Sequence, residues 1–273
     1  MGLRINTNVQ SVQAQRNLAK TGERLQGNFR KLSTGLRIAN AKDDAAGLAI
    51  ADRLSTRTRS LEQAKRNAND GISLLQTGEG GLTEIGNLLT RLRELSVQSN
   101  NGTTSDDDKT TLNNEFQDLV SEIDRIAQAT EFNDTSVLNS SATISLQIGA
   151  DTTTGVDTID ITLQGTRSED LGLSSLDISS SAGAESAISQ IDTALETVNN
   201  YRADLGSLQN RLGSTVSHLN IQTENLTAAE SRIRDLDVAK ETADLTRNNI
   251  IQQAGVAILA QANAQPNLAL SLI

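Results

Sequence analysis

The chain has 273 residues, a formal net charge of −10 from 24 basic and 34 acidic residues, and only three Phe, one Tyr and no Trp. With so few large aromatic side chains, a thick globular core is hard to build, and the composition favours thin helical layers packed by Leu, Ile, Val and Ala. A nucleic-acid-binding protein shows a basic stripe interleaved with stacking aromatic residues. Neither is present, so no nucleic-acid partner is expected.

Catalytic and metal-binding residue types are scarce. The chain has no Cys and a single His, which excludes thiolate nucleophiles, thiolate metal sites and zinc motifs that need two histidines. The histidine, His218, is expected at a solvated position on a helix. The run Gly-Glu-Gly-Gly at residues 78–81 lacks the Lys-Ser/Thr of a phosphate loop, and a flexible interruption of a helix explains it better. No enzymatic activity, catalytic residue, cofactor or metal is therefore expected.

Targeting signals are also missing from the N-terminus. It reads Met-Gly-Leu-Arg-Ile-Asn and has no apolar h-region, so no cleavable secretory signal is expected. The most apolar stretch, residues 254–264, is too short and too interrupted by Gln and Asn to span a bilayer. The sequence therefore predicts no membrane partner, and any export would require a dedicated machine.

The first predicted helix occupies the N-terminal segment. Leu18 and Leu25 start a repeat at a spacing of seven that Leu32 continues. Upstream apolar residues extend this pattern onto more than one stripe of the helix, at Ile5, Val9 and Val12.

Two further helices follow. The acids and small residues of segment 43–47 suit a helix N-terminus, where negative charge is favourable and small side chains allow close packing. The second helix carries an apolar stripe of Leu75, Leu82, Ile85, Leu89 and Leu92. A turn-rich segment at residues 99–105 and three aspartates at 106–108 precede the third. Its apolar residues recur in steps of four and three, at Leu112, Phe116, Leu119, Ile123 and Ile126.

In the middle of the chain, the spacing of apolar residues changes from helical to alternating. Ile144, Leu146 and Ile148 alternate with polar residues, a Thr-rich turn follows at 149–155, and a second alternation comes at 159–163. This pattern predicts a β-hairpin. Residues 167–184 are rich in Ser, Gly and Asp, and are predicted to form a loop.

The C-terminal part carries the clearest periodicity. Seven apolar residues recur at an unbroken spacing of seven: Ile191, Val198, Leu205, Leu212, Leu219, Leu226 and Ile233. Such a heptad repeat is typical of coiled-coil packing. It predicts a helix over about 184–236, which would be about 80 Å long at 1.5 Å per residue. The predicted fold is mainly α: a long coiled-coil-like helical bundle or rod formed by the N- and C-terminal segments, with a small β-hairpin insertion.

The two ends of the chain carry apolar residues in several directions. In the last helix these include Ile250, Ile251, Ile258 and Leu259. A helix that is apolar over so much of its circumference needs more neighbours than one partner provides, and alone in water it is marginal. We therefore expect Ile5, Val9, Val12, Leu18 and Leu25, together with those four residues, to mediate self-assembly. The alternative is that they are core residues of an ordinary monomeric bundle.

Several blocks of sequence resemble bacterial flagellins. They are Ile-Asn-Thr-Asn at 5–8, Leu-Ser-Thr-Gly-Leu-Arg-Ile at 32–38, Asn-Ala-Lys-Asp-Asp-Ala-Ala-Gly-Leu-Ala-Ile-Ala at 40–51, Leu-Thr-Arg-Leu-Arg-Glu-Leu-Ser-Val-Gln at 89–98, Glu-Phe-Asn at 131–133 and Gln-Ala-Asn at 261–263. The blocks cover both ends of the chain, in the family's order. The run Asp-Asp-Ala-Ala-Gly-Leu-Ala-Ile is the most specific of them.

The resemblance implies a segment layout. Residues 1–42 and 234–273 would form the inner helical region called D0. Residues 43–139 would form the N-terminal helices of the next region, D1, with the hairpin and loop at 140–183 and the long C-terminal helix at 184–233. Only about 45 residues separate the third helix from the long C-terminal one, so a minimal flagellin without large outer domains is expected.

The resemblance also implies a function and partners. The chain would be a secreted structural subunit that polymerises with itself into the flagellar filament for swimming motility, after type III export. Further partners would be an export chaperone and the filament cap and hook-junction proteins. Two alternatives remain: a hook–filament junction protein of the same helical family, and an intracellular coiled-coil adaptor.

The segment 89–98 resembles the patch by which flagellins engage Toll-like receptor 5. Arg91, Glu94 and Leu95 match the family's contact positions, and Glu115 on the third helix matches a supporting one. At 100° per residue, Arg91 and Glu94 fall opposite the apolar stripe, and Leu95 is expected at the edge of this polar face. Thr90 departs from the Gln of well-recognised flagellins. The simpler interpretation is a solvated helix face.

Overall fold

The structure is a computed structural model that describes residues 7–153 and 155–270, with side chains described up to residue 265. Ile5, one of the predicted assembly residues, lies outside the described residues. Within them the helices are α1 (Val9–Thr34), α2 (Ala45–Ser99), α3 (Asp106–Ala129), α4 (Ser181–Arg234) and α5 (Val238–Leu270). The strands are β1 (Glu131–Phe132), β2 (Thr135–Ser136), β3 (Ala142–Gln147) and β4 (Thr158–Leu163). The prediction of a mainly α fold with a small β insertion is confirmed.

The helix ends follow from local sequence. Asn8 caps α1, accepting a hydrogen bond on its side-chain oxygen from the Ser11 amide at 3.0 Å, and α1 ends at Gly35, whose φ of 70° glycine adopts without strain. Ser105 caps α3 by accepting from the Asp108 amide at 3.2 Å. The three aspartates in the first turn of α3 place negative charge at its positive end.

Residue contacts divide the chain into two compact units. Unit 1 comprises residues 1–58 and 224–273, and unit 2 comprises residues 59–223. These limits fall inside α2 and α4, so they differ from the expected segment limits after residues 42 and 233, which stay a prediction.

In unit 1, α1 packs along α5, and the connections next to these helices pair with each other. Leu36 and Asp235 form an isolated antiparallel bridge. The Leu236 amide donates to the Gly35 carbonyl at 3.0 Å, and the Arg37 amide donates to the Arg234 carbonyl at 2.7 Å. These hydrogen bonds hold the two chain segments together beside the α1–α5 pair.

In unit 2, helices α2, α3 and α4 surround a continuous apolar core. The stripe predicted on α2 is fully buried, as are the heptad residues of α4 up to Leu219. The predicted hairpin is confirmed as β3 and β4, with Ile144 opposite Ile161 and Leu146 opposite Ile159. His218 is exposed, as expected.

The glycines at 78–81 do not interrupt a helix, so that expectation was wrong. Helix α2 is continuous through them. A Cβ at Gly78 would lie 2.8 Å from Val137 Cγ1, and one at Gly81 would lie 2.7 Å from both Leu138 Cδ1 and Thr130 Oγ1. Two of these glycines therefore let the segment that follows α3 pack directly against the backbone of α2.

Two features of unit 2 were not predicted. The strands β1 and β2 form a hairpin whose two turn residues, Asn133 and Asp134, have φ angles of 49° and 61°, as hairpin turns with two left-handed residues require. The predicted loop before α4 is a loop, but Leu171, Leu173 and Ile178 in it are buried in the core.

No helix within the described residues is long and apolar enough to cross a membrane.

Candidate assembly surface

Much of the contact between α1 and α5 is polar. Three of the four buried residues on α1 are polar: Ser11, Thr21 and Asn28. The Asn28 side-chain amide donates to Glu241 Oε1 at 2.7 Å, and its oxygen accepts from the Asn248 side-chain amide at 3.0 Å. Because a side-chain amide has both donors and an acceptor, Asn28 forms hydrogen bonds with two residues of α5 at once.

A second set of polar contacts joins the N-terminal end of α1 to the C-terminal part of α5. The Asn8 side-chain amide donates to the Ala262 carbonyl at 2.7 Å, and the Ser11 hydroxyl donates to Asn263 Oδ1 at 2.6 Å. The two helices are thus tied by hydrogen bonds near both ends, which aligns them at a defined register.

Many large apolar side chains of this pair are exposed. We call seven of them the assembly surface; all are between 44% and 61% exposed: Val9, Val12, Phe29, Ile250, Ile251, Val256 and Ile258. Ile251 and Ile258 are seven residues apart and share a face of α5, whereas Val256 lies on a different face at 100° per residue. A helix pair with apolar side chains on several faces has room for contacts with more than one neighbour.

Three residues predicted to mediate assembly lie elsewhere. Leu25 is buried, at 5% exposed, and Leu18 and Leu259 are half-buried. Leu18 is covered because α5 carries Gly255 opposite it, where an added Cβ would meet Leu18 Cδ1 at 3.2 Å. These side chains pack within unit 1 itself. Contact with a neighbouring subunit stays a prediction for all three.

The connection from α1 to α2 is held by two carboxylates. Asp43 accepts hydrogen bonds from the amides of Ala39 and Asn40 at 3.2 and 3.0 Å, and Asp44 accepts from the Gly47 amide at 2.9 Å. Burial acts to raise the pKa of Asp43, but the two amides, with the nearby cations Arg30 and Lys31, lower it below its ordinary value. Asp44 thus caps α2, which confirms the interpretation of this segment as a helix N-terminus.

Gly47 makes the same connection compact. A Cβ at this position would lie 2.5 Å from Asp44 Oδ2 and 2.8 Å from Ile38 Cδ1. Ile38 is 1% exposed, so any larger residue at position 47 would collide with a buried side chain and with the helix cap.

Within residues 7–153 and 155–270, no three histidine, aspartate or glutamate side chains gather where they could hold a metal ion.

A separate ion-pair cluster lies in unit 2. Arg91 Nη2 lies 2.7 Å from Glu115 Oε1 on α3, and Arg91 Nη1 lies 3.2 Å from Glu94 Oε2. The hydrogen bond to Glu115, with that to Glu94, raises the pKa of Arg91. All three side chains are about half exposed, so the structure brings together these three of the four predicted receptor-contact residues on one accessible face.

Leu95, the fourth, is not on that face. It is 1% exposed, whereas the helical spacing placed it at the edge of the polar side. Leu95 belongs to the same buried cluster as Leu92 and Phe116. The neighbouring elements bury a wider part of the circumference of α2 than the predicted apolar stripe that includes Leu82, Leu89 and Leu92. The expected position of Leu95 at the edge of the polar face is therefore corrected: its side chain lies in the core.

Comparison with known proteins places the chain in a family. The family models for the bacterial flagellin N-terminal and C-terminal helical regions match residues 5–143 and 188–273. A flagellin of Halalkalibacterium halodurans is 46% identical over 270 residues, covering 98% of this chain and 99% of the relative. A flagellar filament core protein of Treponema phagedenis is 43% identical over 285 residues, covering 98% and 99%.

A solved structure agrees with these relatives. The crystal structure of Bacillus cereus flagellin aligns with a TM-score of 0.51 and 35% identity, over 60% of this chain and 94% of that one. Since the relatives are flagellins and filament core proteins of nearly the same span, a hook–filament junction protein is not favoured. Matches to both helical regions, at high identity over almost the whole length, show that this chain belongs to the bacterial flagellin family.

Proposed function

We propose that the chain is a structural subunit that polymerises into the bacterial flagellar filament through the assembly surface on α1 and α5. The observation that carries the proposal is the α1–α5 pair, in which three of the four buried α1 residues are polar and seven large apolar side chains are exposed. Paired helices normally bury their apolar stripes against each other. Here neighbouring copies of the same pair would cover them.

The energetic gain from such contacts is substantial. Burying one large aliphatic or aromatic side chain stabilises by roughly 1.5–3 kcal/mol relative to leaving it in water. Several such residues per subunit, repeated in every copy, would offset the entropy that is lost on association. A contact between different faces of successive copies yields a helical filament when the rotation from one copy to the next does not close a ring.

Polymerisation on filament seeds tests the proposal. We expect the double variant Ile250→Asn with Ile258→Asn to remain helical and not to elongate seeds, because it places amides where apolar contacts form. The matched control is Val156→Asn, since Val156 is 73% exposed in the turn between β3 and β4 and should not affect growth. Wild-type elongation by the double variant, measured by light scattering and electron microscopy, would refute the role of this surface.

The segment layout and the export route are part of the same proposal. Residues 1–42 and 234–273 would form the inner D0 region and residues 43–233 the D1 region. The chain would leave the cell uncleaved through the flagellar type III apparatus, accompanied by an export chaperone, and meet the cap and hook-junction proteins during assembly. N-terminal sequencing of protein sheared from cells tests this route, because loss of a signal-length peptide would contradict it.

The cluster of Arg91, Glu94 and Glu115 supports a second proposal, recognition by Toll-like receptor 5. It is an exposed, ordered group of charges on the segment that resembles the family's receptor patch. We expect Arg91→Ala to reduce the response of a receptor reporter several-fold when monomer of verified helicity is applied, because a few anchors dominate such interfaces.

The control for this experiment is Arg93→Ala. Arg93 lies on the same helix, is similarly exposed, and pairs with Asp192 at 2.6 Å, so its removal costs a comparable ion pair without touching the cluster. An equal loss of response in both variants, or an unchanged response to Arg91→Ala, would contradict the assignment.

A further inference from the structure

The turn between α2 and α3 contains the only Asn-Gly dipeptide in the sequence, Asn101–Gly102. Both residues are exposed. Asparagine is among the chemically labile residues of proteins. Its side-chain carboxamide can be attacked by the backbone nitrogen of the next residue, and glycine obstructs that approach least because it has no Cβ.

The side chain of Asn101 is folded back over this backbone. Its Oδ1 accepts a long hydrogen bond from the Thr103 amide at 3.4 Å, the pattern by which asparagine bonds the backbone two residues ahead. The Gly102 nitrogen lies within the loop that this bond closes. The donor on Oδ1 also polarises the carboxamide and would stabilise the negative charge that develops on its oxygen during attack.

Gly102 is free to act as the nucleophile. Among the described residues its amide donates no hydrogen bond, whereas the amides of Asn101 and Thr104 are bound to Gln98 O at 3.3 Å and Asn101 O at 3.1 Å. No atom lies within 4 Å of where a Gly102 Cβ would be. The surroundings therefore leave room for the ring closure and give water access for proton transfer.

We infer that Asn101 is a site of spontaneous deamidation in this protein. The Gly102 nitrogen loses its proton to water and forms a bond to Asn101 Cγ, and the side-chain nitrogen leaves as ammonia, giving a five-membered succinimide. Water then adds to one of the two ring carbonyls and opens the ring. Opening at one carbonyl gives aspartate; opening at the other gives isoaspartate, in which the main chain runs through the former side chain.

The products change the turn in two ways. Both add one negative charge just before α3, whose first turn already carries three aspartates. Isoaspartate also lengthens the main chain by one methylene between Ser99 and Ser105, the last residue of α2 and the cap of α3.

The test incubates the intact protein at mildly alkaline and mildly acidic pH and follows each asparagine by peptide mass spectrometry with fragmentation that separates aspartate from isoaspartate. We expect Asn101 to convert to both products, faster at alkaline pH, while the neighbouring exposed Asn100 stays unmodified. Gly102→Ala is the matched variant, because space for its methyl group is open and φ at this position is not left-handed. It should slow the conversion several-fold at unchanged helicity.

Each outcome of this experiment supports or overturns either the succinimide mechanism or the assignment of the site. Isoaspartate at residue 101 that depends on Gly102 establishes the succinimide route. Aspartate without isoaspartate would mean direct hydrolysis and overturn the mechanism. Conversion of Asn100 at the same rate as Asn101, or an unmodified Asn101 when other asparagines have reacted, would overturn the site.

Discussion

At the scale of single residues, adjacent glycines in α2 serve different roles. Gly81 faces the packed segment after α3, where an added Cβ would meet Thr130 Oγ1 and Leu138 Cδ1. A Cβ at Gly80, one position away, would meet nothing within 4 Å. Close packing thus accounts for Gly81, whereas the structure gives no such reason for Gly80.

We predict opposite effects of alanine at these two positions. Gly80→Ala should raise the free energy of unfolding by about 0.5–1 kcal/mol, because alanine reduces the backbone entropy lost in a helix. Gly81→Ala gains the same propensity but should lower stability by about 1–3 kcal/mol through overpacking against buried Leu138. Chemical denaturation of the monomer followed by circular dichroism measures both; a stabilising Gly81→Ala would show that the contact relaxes freely.

Several residue-level assignments could be read from the sequence and others could not. The burial of Leu82 and Leu89 follows from helical period, and Asp44 at a helix start follows from the chemistry of capping. Leu95 could not be placed, because spacing fixes the direction of a side chain but not the width of the arc that neighbouring helices cover. Gly78 and Gly81 were misread for a related reason, since their role depends on a segment more than 40 residues away.

At the scale of elements, α1 and α5 depend on polar matching. Asn28 is buried at 8% exposed and bonds both Glu241 and Asn248. A buried polar residue in a helix pair is best known for fixing register and partner choice. Lys31 adds an ion pair to Glu241 at 4.0 Å, which strengthens the same point of attachment.

We predict that Asn28→Ala loosens this helix pair. The change improves helix propensity but removes the hydrogen bonds that Asn28 makes with Glu241 and Asn248, at a cost of about 1–3 kcal/mol. Amide hydrogen exchange in α1 and α5 should therefore become faster, with exchange in α3 unchanged. Asn17→Ala, on an exposed position of the same helix, is the control and should leave exchange in α5 as it is. Equal protection of α5 in the two variants would argue against the role of Asn28.

Helices and strands could be predicted from the sequence where their apolar residues recur at one regular spacing. The heptads of α4 and the alternation in β3 and β4 specify both the element and its buried face. The segment between β4 and α4 carries Leu171, Leu173 and Ile178 without any regular spacing, so its burial in the core left no periodic signal. The polar contacts between α1 and α5 join residues more than 200 positions apart, and no pattern within either helix reveals them.

At the scale of the whole molecule, the two units differ in how much apolar surface they bury. The continuous core of unit 2 includes Phe116, Tyr201 and residues from α2, α3, α4 and β4, and Phe132 of β1 packs against it. Among its described residues, unit 1 buries only four apolar side chains: Leu25, Ile38, Ala51 and Ala262. Unit 2 therefore carries most of the hydrophobic stabilisation, whereas unit 1 leaves the seven large apolar side chains of the assembly surface exposed.

This difference predicts the behaviour of truncated chains. Removing residues 1–42 or residues 234–273 takes away one helix of the α1–α5 pair and leaves all the residues of the unit 2 core in place. We expect either truncation to give a soluble, mainly helical monomer with a cooperative unfolding transition that does not polymerise, because half of the assembly surface and its supporting partner are gone. Light scattering with filament seeds measures polymerisation, and thermal circular dichroism measures folding. Filaments from either truncated chain would show that the remaining residues suffice for assembly, whereas loss of cooperative unfolding would show that the unit 2 core needs the terminal helices.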